Sequence, residues 1–246
     1  MGPFASAPCC HAPEGDHTVA FQPDIQTRRN VARLLLDSGC VRCRVAEPFR
    51  LPSGWASPVY MDCRRLISFP VVRRKIISLG LRLLEERGCF KGVDGVVGAE
   101  ASGIAFAAWV ADDRSLPLHY VRKQTRGLGA SSLLVGVLPQ SSTLLLVDDL
   151  VAAGTSKVNF MRAIATAGAT VKDIFVIFDY GTFSVDKALT PFGVTLHSLA
   201  CWADVLTVGQ EDGDFEVGAA AELAAFLDNP SAWSAAHGGI SQLDQQ

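Results

Sequence analysis

The chain has 246 residues, 49% of them hydrophobic and 19% charged, with a formal net charge of -3. That length and balance suit one large folded α/β unit, with or without tails, and exclude a disordered chain. They also speak against a nucleic-acid binder working through a broad basic face, and no apolar run reaches the ~18 residues of a membrane-spanning helix.

The first twenty residues hold no Lys or Arg and are interrupted by Pro3, Pro8 and Pro13. They lack the basic start and apolar stretch of a secretion signal, so residues 1–24 read as a loose leader and the chain is expected to stay in the cytoplasm. Without export, the seven cysteines read as reduced thiols. Cys40 and Cys43 form one C-x-x-C pair, with no second pair to complete a four-ligand zinc site.

From Gln26, the apolar spacing Val31, Leu34, Leu35 predicts a helix ending near Gly39. Phe49 to Cys63, with Pro52, Gly54 and Pro58, reads as a loop feeding the short strand Val59-Tyr60-Met61. Pro70 opens a second helix that Gly88 stops. An alternation follows: strand Gly95–Gly98, helix Ile104–Asp112, strand Leu118–Val121, strand Thr143–Val147, helix Lys157–Ala167, then strands Ile174–Phe178 and Val194–Leu199. Such alternation predicts an α/β fold with a mainly parallel open sheet flanked by helices on both faces. A short helix is expected from Val217 to Leu227, closed before Pro230. His119 and His197 fall on strands as packed or surface residues, and Trp202 is expected in the core. The division is a leader 1–24, a main domain 25–208 that includes a small N-terminal hood, and a C-terminal helical tail 209–246.

The chemistry concentrates in Leu144–Lys157, where a buried apolar strand is followed by Asp148-Asp149, the small-residue turn Ala152-Ala153-Gly154, and then Thr155-Ser156 at a helix start. Ligands of open α/β sheets sit at the carboxyl ends of strands. A helix N-terminus there offers free N–H groups and a positive dipole end to a phosphate. Paired carboxylates do not bind an anion, but they accept hydrogen bonds from a sugar diol beside it. An ordinary strand end with a helix cap explains one Asp and one Ser, and leaves the rest of the constellation unexplained. The P-loop pattern fails because Gly154 leads into Thr155-Ser156-Lys157, and the G-x-G-x-x-G pattern fails at Gly127-Leu128-Gly129.

With its apolar run, Asp-Asp and Gly-Thr turn, the segment resembles the type I phosphoribosyltransferases. Three further segments, Ser57–Arg64, Gly98–Gly103 and Arg122–Gly129, resemble the early substrate loop, pyrophosphate loop and mobile catalytic loop of the orotate branch. The resemblance runs from about Val31 to Asp204. It implies a donor, phosphoribosyl pyrophosphate, and an acceptor base, orotate, with Mg²⁺ as cofactor and held mainly by substrate and water. Asp148 and Asp149 would hold the ribose hydroxyls, with Asp149 also catalytic, and Ala152, Ala153, Gly154, Thr155 and Ser156 the 5-phosphate. Ala99 and Glu100 would line the pyrophosphate, Arg122, Lys123 and Arg126 would neutralise the leaving group, and Tyr60 and Arg64 would lie beside the base. The mobile loop of that family reaches a neighbouring subunit's site, which implies a homodimer.

The family pattern is altered where a Lys is replaced by Pro52, a loop Lys by Arg126, a loop His by Leu128, a base-binding Arg by Tyr180 and a turn Thr by Ala152. Three readings therefore stand open at this level: an orotate enzyme using other donors for the base, a transferase for another base, or a regulator that binds the donor without chemistry.

Overall fold

The computed structural model describes residues 20–51, 54–124, 133–182, 185–216 and 218–241. Strand β1 (Ala20–Phe21) precedes helix α1 (Ile25–Asp37), whose start is fixed by Asp24 accepting from the Thr27 N–H at 2.9 Å and the Thr27 hydroxyl at 2.7 Å. The hood follows as β2 (Val41–Cys43), β3 (Phe49–Arg50), β4 (Ala56–Ser57), β5 (Val59–Met61) and a tight turn of helix over Cys63–Ser68. In the hood, β2 pairs with β5 and β3 with β4, both antiparallel. Helix α2 (Pro70–Glu86) begins on its proline, as expected, and turns its Ile76, Leu81 and Leu84 face inward.

The main sheet then assembles from β6 (Gly95–Ala99), α3 (Ser102–Arg114), β7 (Leu118–Val121), β8 (Leu134–Val135), β9 (Thr143–Val151), α4 (Thr155–Thr166), β10 (Thr170–Asp179), α5 (Val185–Leu189) and β11 (Thr195–Cys201). The strand order is β1-β11-β10-β9-β6-β7-β8, with every pairing parallel except β7–β8. Leu144–Val147 are fully buried in β9 because both faces of the sheet are covered, which is why that strand reads as a continuous apolar run. One face is covered by α1, α2 and α3 together with α6 (Trp202–Asp212); the other by α4 and α5. Trp202 is in the core, as expected.

The chain ends in α7 (Ala219–Asp228) and α8 (Pro230–Ala236). Only the first of these was expected. Pro230 opens a helix instead of closing one, with Asn229 accepting from the Ala232 N–H at 2.9 Å as its cap. This end clasps the hood: Ser234 Oγ accepts from the Ala56 N–H at 2.9 Å and donates to the Ile240 carbonyl at 2.6 Å. Gly239 passes so close to β4 that a Cβ there would lie 2.3 Å from the Ala56 nitrogen. β1, inside the stretch expected to be a loose leader, instead adds an edge strand beside β11. Cys40, Cys43, Cys63 and Cys89 are free thiols. Cys201 is disulfide-bonded, a correction to the expectation of reduced thiols throughout; such pairing cannot be deduced from cysteine spacing.

Candidate active site

The site forms where β9 runs out between β6 and β10. Asp148 and Asp149 lie within the strand's last turnings, not just past it, because β10 stays paired with β9 up to Val151. Alternation sends the two carboxylates to opposite faces of the sheet. Asp148 points toward α4, where the buried Lys157 ammonium donates to its Oδ2 at 2.5 Å and to the Leu150 carbonyl at 2.9 Å. Asp149 takes the Leu150 N–H at 2.9 Å and the hydroxyl of Ser102. Among the described residues, no basic side chain forms an ion pair with Asp149. Burial, and then the charge of Asp148, push the Asp149 carboxyl up to about 7, against the opposing pull of Lys157.

Behind the pair, Ala152 and Ala153 lead to Gly154, whose φ of 82° makes the turn into α4 without a Cβ penalty. Thr155 and Ser156 are exposed at the N-terminus of α4, and no side chain caps that end. Unpaired N–H groups, two hydroxyls and the helix dipole therefore face one small volume, an arrangement suited to a phosphate.

Opposite lies the loop Ala99–Ser102 between β6 and α3. Ala99 is buried at the end of β6, and Glu100 is tied to the strand end beyond: its N–H donates to the Val121 carbonyl at 2.9 Å, and its carboxylate accepts from the Lys123 N–H at 2.8 Å. Gly103 lets α3 approach β9, since a Cβ there would sit 2.5 Å from the Val147 carbonyl and 2.9 Å from Asp148 Oδ1. Gly103→Ala is expected to destabilise the fold by about 1–3 kcal/mol through this overlap and to weaken ligand binding at the acid pair. Thermal melts and donor calorimetry on the one variant check both.

The hood supplies the third wall. Arg64 is held charged chiefly by its bond to Asp62 at 2.5 Å, and it donates to the Tyr60 hydroxyl at 3.2 Å. The Tyr60 ring lies 5.6 Å from that of Phe49. Burial, and then the charge of Asp149, raise the buried Cys63 thiol; the same charge also reaches Arg64 and Tyr180. These groups therefore share the space in front of Asp149. Tyr180 is buried there with its hydroxyl accepting from the Met61 N–H at 3.2 Å, packed edge-on against Phe178 and Trp202.

Of the residues picked from sequence, Asp148 and Asp149 lie at the end of β9 with Ala152–Ser156 leading into α4, Ala99 and Glu100 follow the adjoining β6, and Tyr60 and Arg64 lie in the hood. Arg122 instead follows β7 with its guanidinium donating to the Tyr120 hydroxyl at 3.4 Å, and among the described residues Lys123 joins through its backbone N–H to Glu100. Arg126, Gly127, Leu128, Gly129 and Pro52 lie outside the described residues. Sequence reasoning placed Ser102 and Gly103 in the pyrophosphate-loop segment without giving either an individual role, and missed the role of Lys157. A signal for the last was present: a lysine in the first turn of a helix opposes the dipole and needs an acid to hold it.

A parallel sheet with an acid pair at a central strand's carboxyl end, followed by a glycine turn and a free helix N-terminus, defines the type I phosphoribosyltransferase class. No protein-family model matches the chain. It is 42% identical over 216 residues to an orotate phosphoribosyltransferase of Cereibacter sphaeroides, spanning 87% of this chain and 93% of the relative. An orotate phosphoribosyltransferase of Rhizobium johnstonii is 40% identical over 213 residues, with the same shares covered. The crystal structure of orotate phosphoribosyltransferase from Aeropyrum pernix superposes with a TM-score of 0.64 at 29% identity, over 76% of this chain and 99% of that one. The chain belongs to the orotate phosphoribosyltransferase family.

Proposed function

We propose that this protein transfers the ribose 5-phosphate group of phosphoribosyl pyrophosphate to orotate, giving orotidine 5'-monophosphate and pyrophosphate. The observation that carries this reading is the Asp148-Asp149 pair ahead of the free α4 N-terminus, in a chain of this family. Diol acceptors and a phosphate cradle stand side by side, as a ribose 5-phosphate requires.

In this reading Asp148 and Asp149 accept from the ribose hydroxyls while Ala152–Ser156 bind the 5-phosphate. As the bond from C1 to pyrophosphate breaks, positive charge grows on the sugar and negative charge on the leaving group. Asp149, ionised, steadies the first; Arg122, Lys123 and Arg126 neutralise the second beside Ala99 and Glu100. Tyr60 lies against the planar base. Arg64 meets the base carboxylate, taking the part that Tyr180 cannot play with its hydroxyl spent on the hood backbone. The acid pair offers oxygen donors only, which suits Mg²⁺, a hard cation. When bound, Mg²⁺ would be held mainly by oxygens of the phosphoribosyl donor and by water, and would supply charge neutralisation to the pyrophosphate. The enzyme acts in the cytoplasm as a homodimer with shared sites.

The test is a panel of bases (orotate, uracil, hypoxanthine and adenine) offered with donor and Mg²⁺. Turnover of orotate alone, abolished by EDTA, is expected. Turnover of a different base overturns the acceptor assignment while leaving the donor site intact.

A further inference from the structure

Away from the acid pair, β10, β11 and the loop after α2 bring together three side chains that the transfer reaction does not use. Asp173 and His197 lie on neighbouring parallel strands and on one face, because Phe175 is the partner of His197 and Asp173 precedes it by two. The register of β10 on β9 shifts between Val171 and Asp173, a bulge of the kind that re-aims a side chain. Gly88, with a φ of 71°, turns the chain after α2 so that the buried Cys89 sits over the same face.

The Sγ of Cys89 lies 3.3 Å from His197 Nε2, and the Oδ1 of Asp173 lies 2.8 Å from that same nitrogen. All three ligand atoms fall within 4.8 Å of one another. A proton relay would need the thiol and the carboxylate on different ring nitrogens. Here both converge on Nε2, and Nδ1 is buried without a partner among the described residues. The ring is held in place by Phe21, stacked at 5.8 Å and 18°, with Arg87 on Phe21 4.1 Å from its centroid.

We propose that Cys89, Asp173 and His197 form a site for a divalent ion of zinc type, with one position open to water. The donor set is sulfur, nitrogen and one carboxylate oxygen, the set that borderline-soft ions prefer over Mg²⁺. Zinc bonds of about 2.0–2.3 Å place tetrahedral ligand atoms about 3.3–3.6 Å apart. The sulfur–nitrogen pair, for which that span gives about 3.5 Å, stands at 3.3 Å and has to open by about 0.2 Å. The oxygen has to retreat by about 0.5 Å, and Asp173, whose side chain is 20% exposed, has solvent on one side to do so. That same opening admits the ion and the water. The site lies on β10 and β11, the first of which adjoins β9, with Asp173 level with Leu145 and not with the acid pair, and its proposal does not depend on what the acid pair binds.

The experiment is a Co²⁺ titration of the untagged, chelator-treated full chain followed by absorbance, without donor or base. One equivalent should bind with a thiolate-to-cobalt charge-transfer band, and Zn²⁺ but not Mg²⁺ should remove it. Cys89→Ser should abolish the band, and Asp173→Asn should weaken Co²⁺ binding at least tenfold, both with orotate turnover within twofold of the parent. Absence of the band in the parent chain shows a hydrogen-bonded cluster only and overturns the proposal. A band that persists in Cys89→Ser does the same, by placing the ion on another thiol. Should Cys89→Ser fail to fold, the Asp173→Asn titration decides, and an unchanged affinity there counts against the site.

Discussion

Asp149→Asn is expected to lower kcat/KM for orotate by about 10²–10³-fold while leaving the fold intact. The amide keeps the shape of the carboxyl but cannot develop the negative charge that faces the sugar as its bond to pyrophosphate breaks. Stability should move the other way. In the folded chain, burial and the neighbouring Asp148 raise the Asp149 pKa from 3.8 to about 7. A carboxyl whose folded pKa lies above its unfolded one favours folding when protonated and costs stability as pH rises between those values. The variant should therefore melt higher than the parent at pH 8 and match it near pH 4. The parent's kcat/KM should fall below pH 7 as Asp149 gains its proton, and the variant's residual rate should lack that limb. Melts and rate profiles across pH 4–9 check both. An active Asp149→Asn enzyme would remove this residue from the mechanism.

Lys157→Met is expected to cost about 3–5 kcal/mol of stability, because it strands the buried Asp148 carboxylate without its cation. In a chain of this size that is a fall in Tm of roughly 10 °C. The loss of the positive charge also raises the Asp149 pKa further, so the acid limb of the rate should shift to higher pH. The sign of the stability effect follows: two uncompensated carboxylates are worst when both are ionised. The deficit against the parent should be largest above pH 7 and shrink on acidification. Lys157→Arg, which keeps the charge, should recover part of both. A pH-independent deficit would mean that Lys157 contributes packing rather than charge. Reading kcat and KM separately adds a second check, since Lys157 touches Asp148 and the Leu150 carbonyl and not the leaving group.

How far the sequence foretold this molecule depends on the range over which each feature is determined. The long helices and the central strands were legible because periodicity and a run such as Leu144–Val147 report burial directly. β1, β2, β3, β4 and β8 are two or three residues long, too short for any period, and exist because a neighbouring strand offers a free edge. The acid pair, the glycine turn and the α4 start were legible as one contiguous motif. What surrounds them was not, since Lys157 finds Asp148 nine residues back, and Tyr180 finds the Met61 N–H across 119 residues of chain. Cys89, Asp173 and His197 carry no spacing signal at all, and their meeting is set by the fit of α2 across β10 and β11. There Gly80 lets Phe175 come so near that a Cβ would lie 2.3 Å from the ring.

The most direct test of the central claim is the loss of orotate ultraviolet absorbance when the full chain is mixed with phosphoribosyl pyrophosphate and Mg²⁺, with released pyrophosphate measured in the same reaction. A decline that stops on adding EDTA, with one pyrophosphate formed per orotate consumed, is the predicted result. A steady orotate signal, while calorimetry shows the donor binding, would contradict it and leave a donor-binding protein without transfer chemistry.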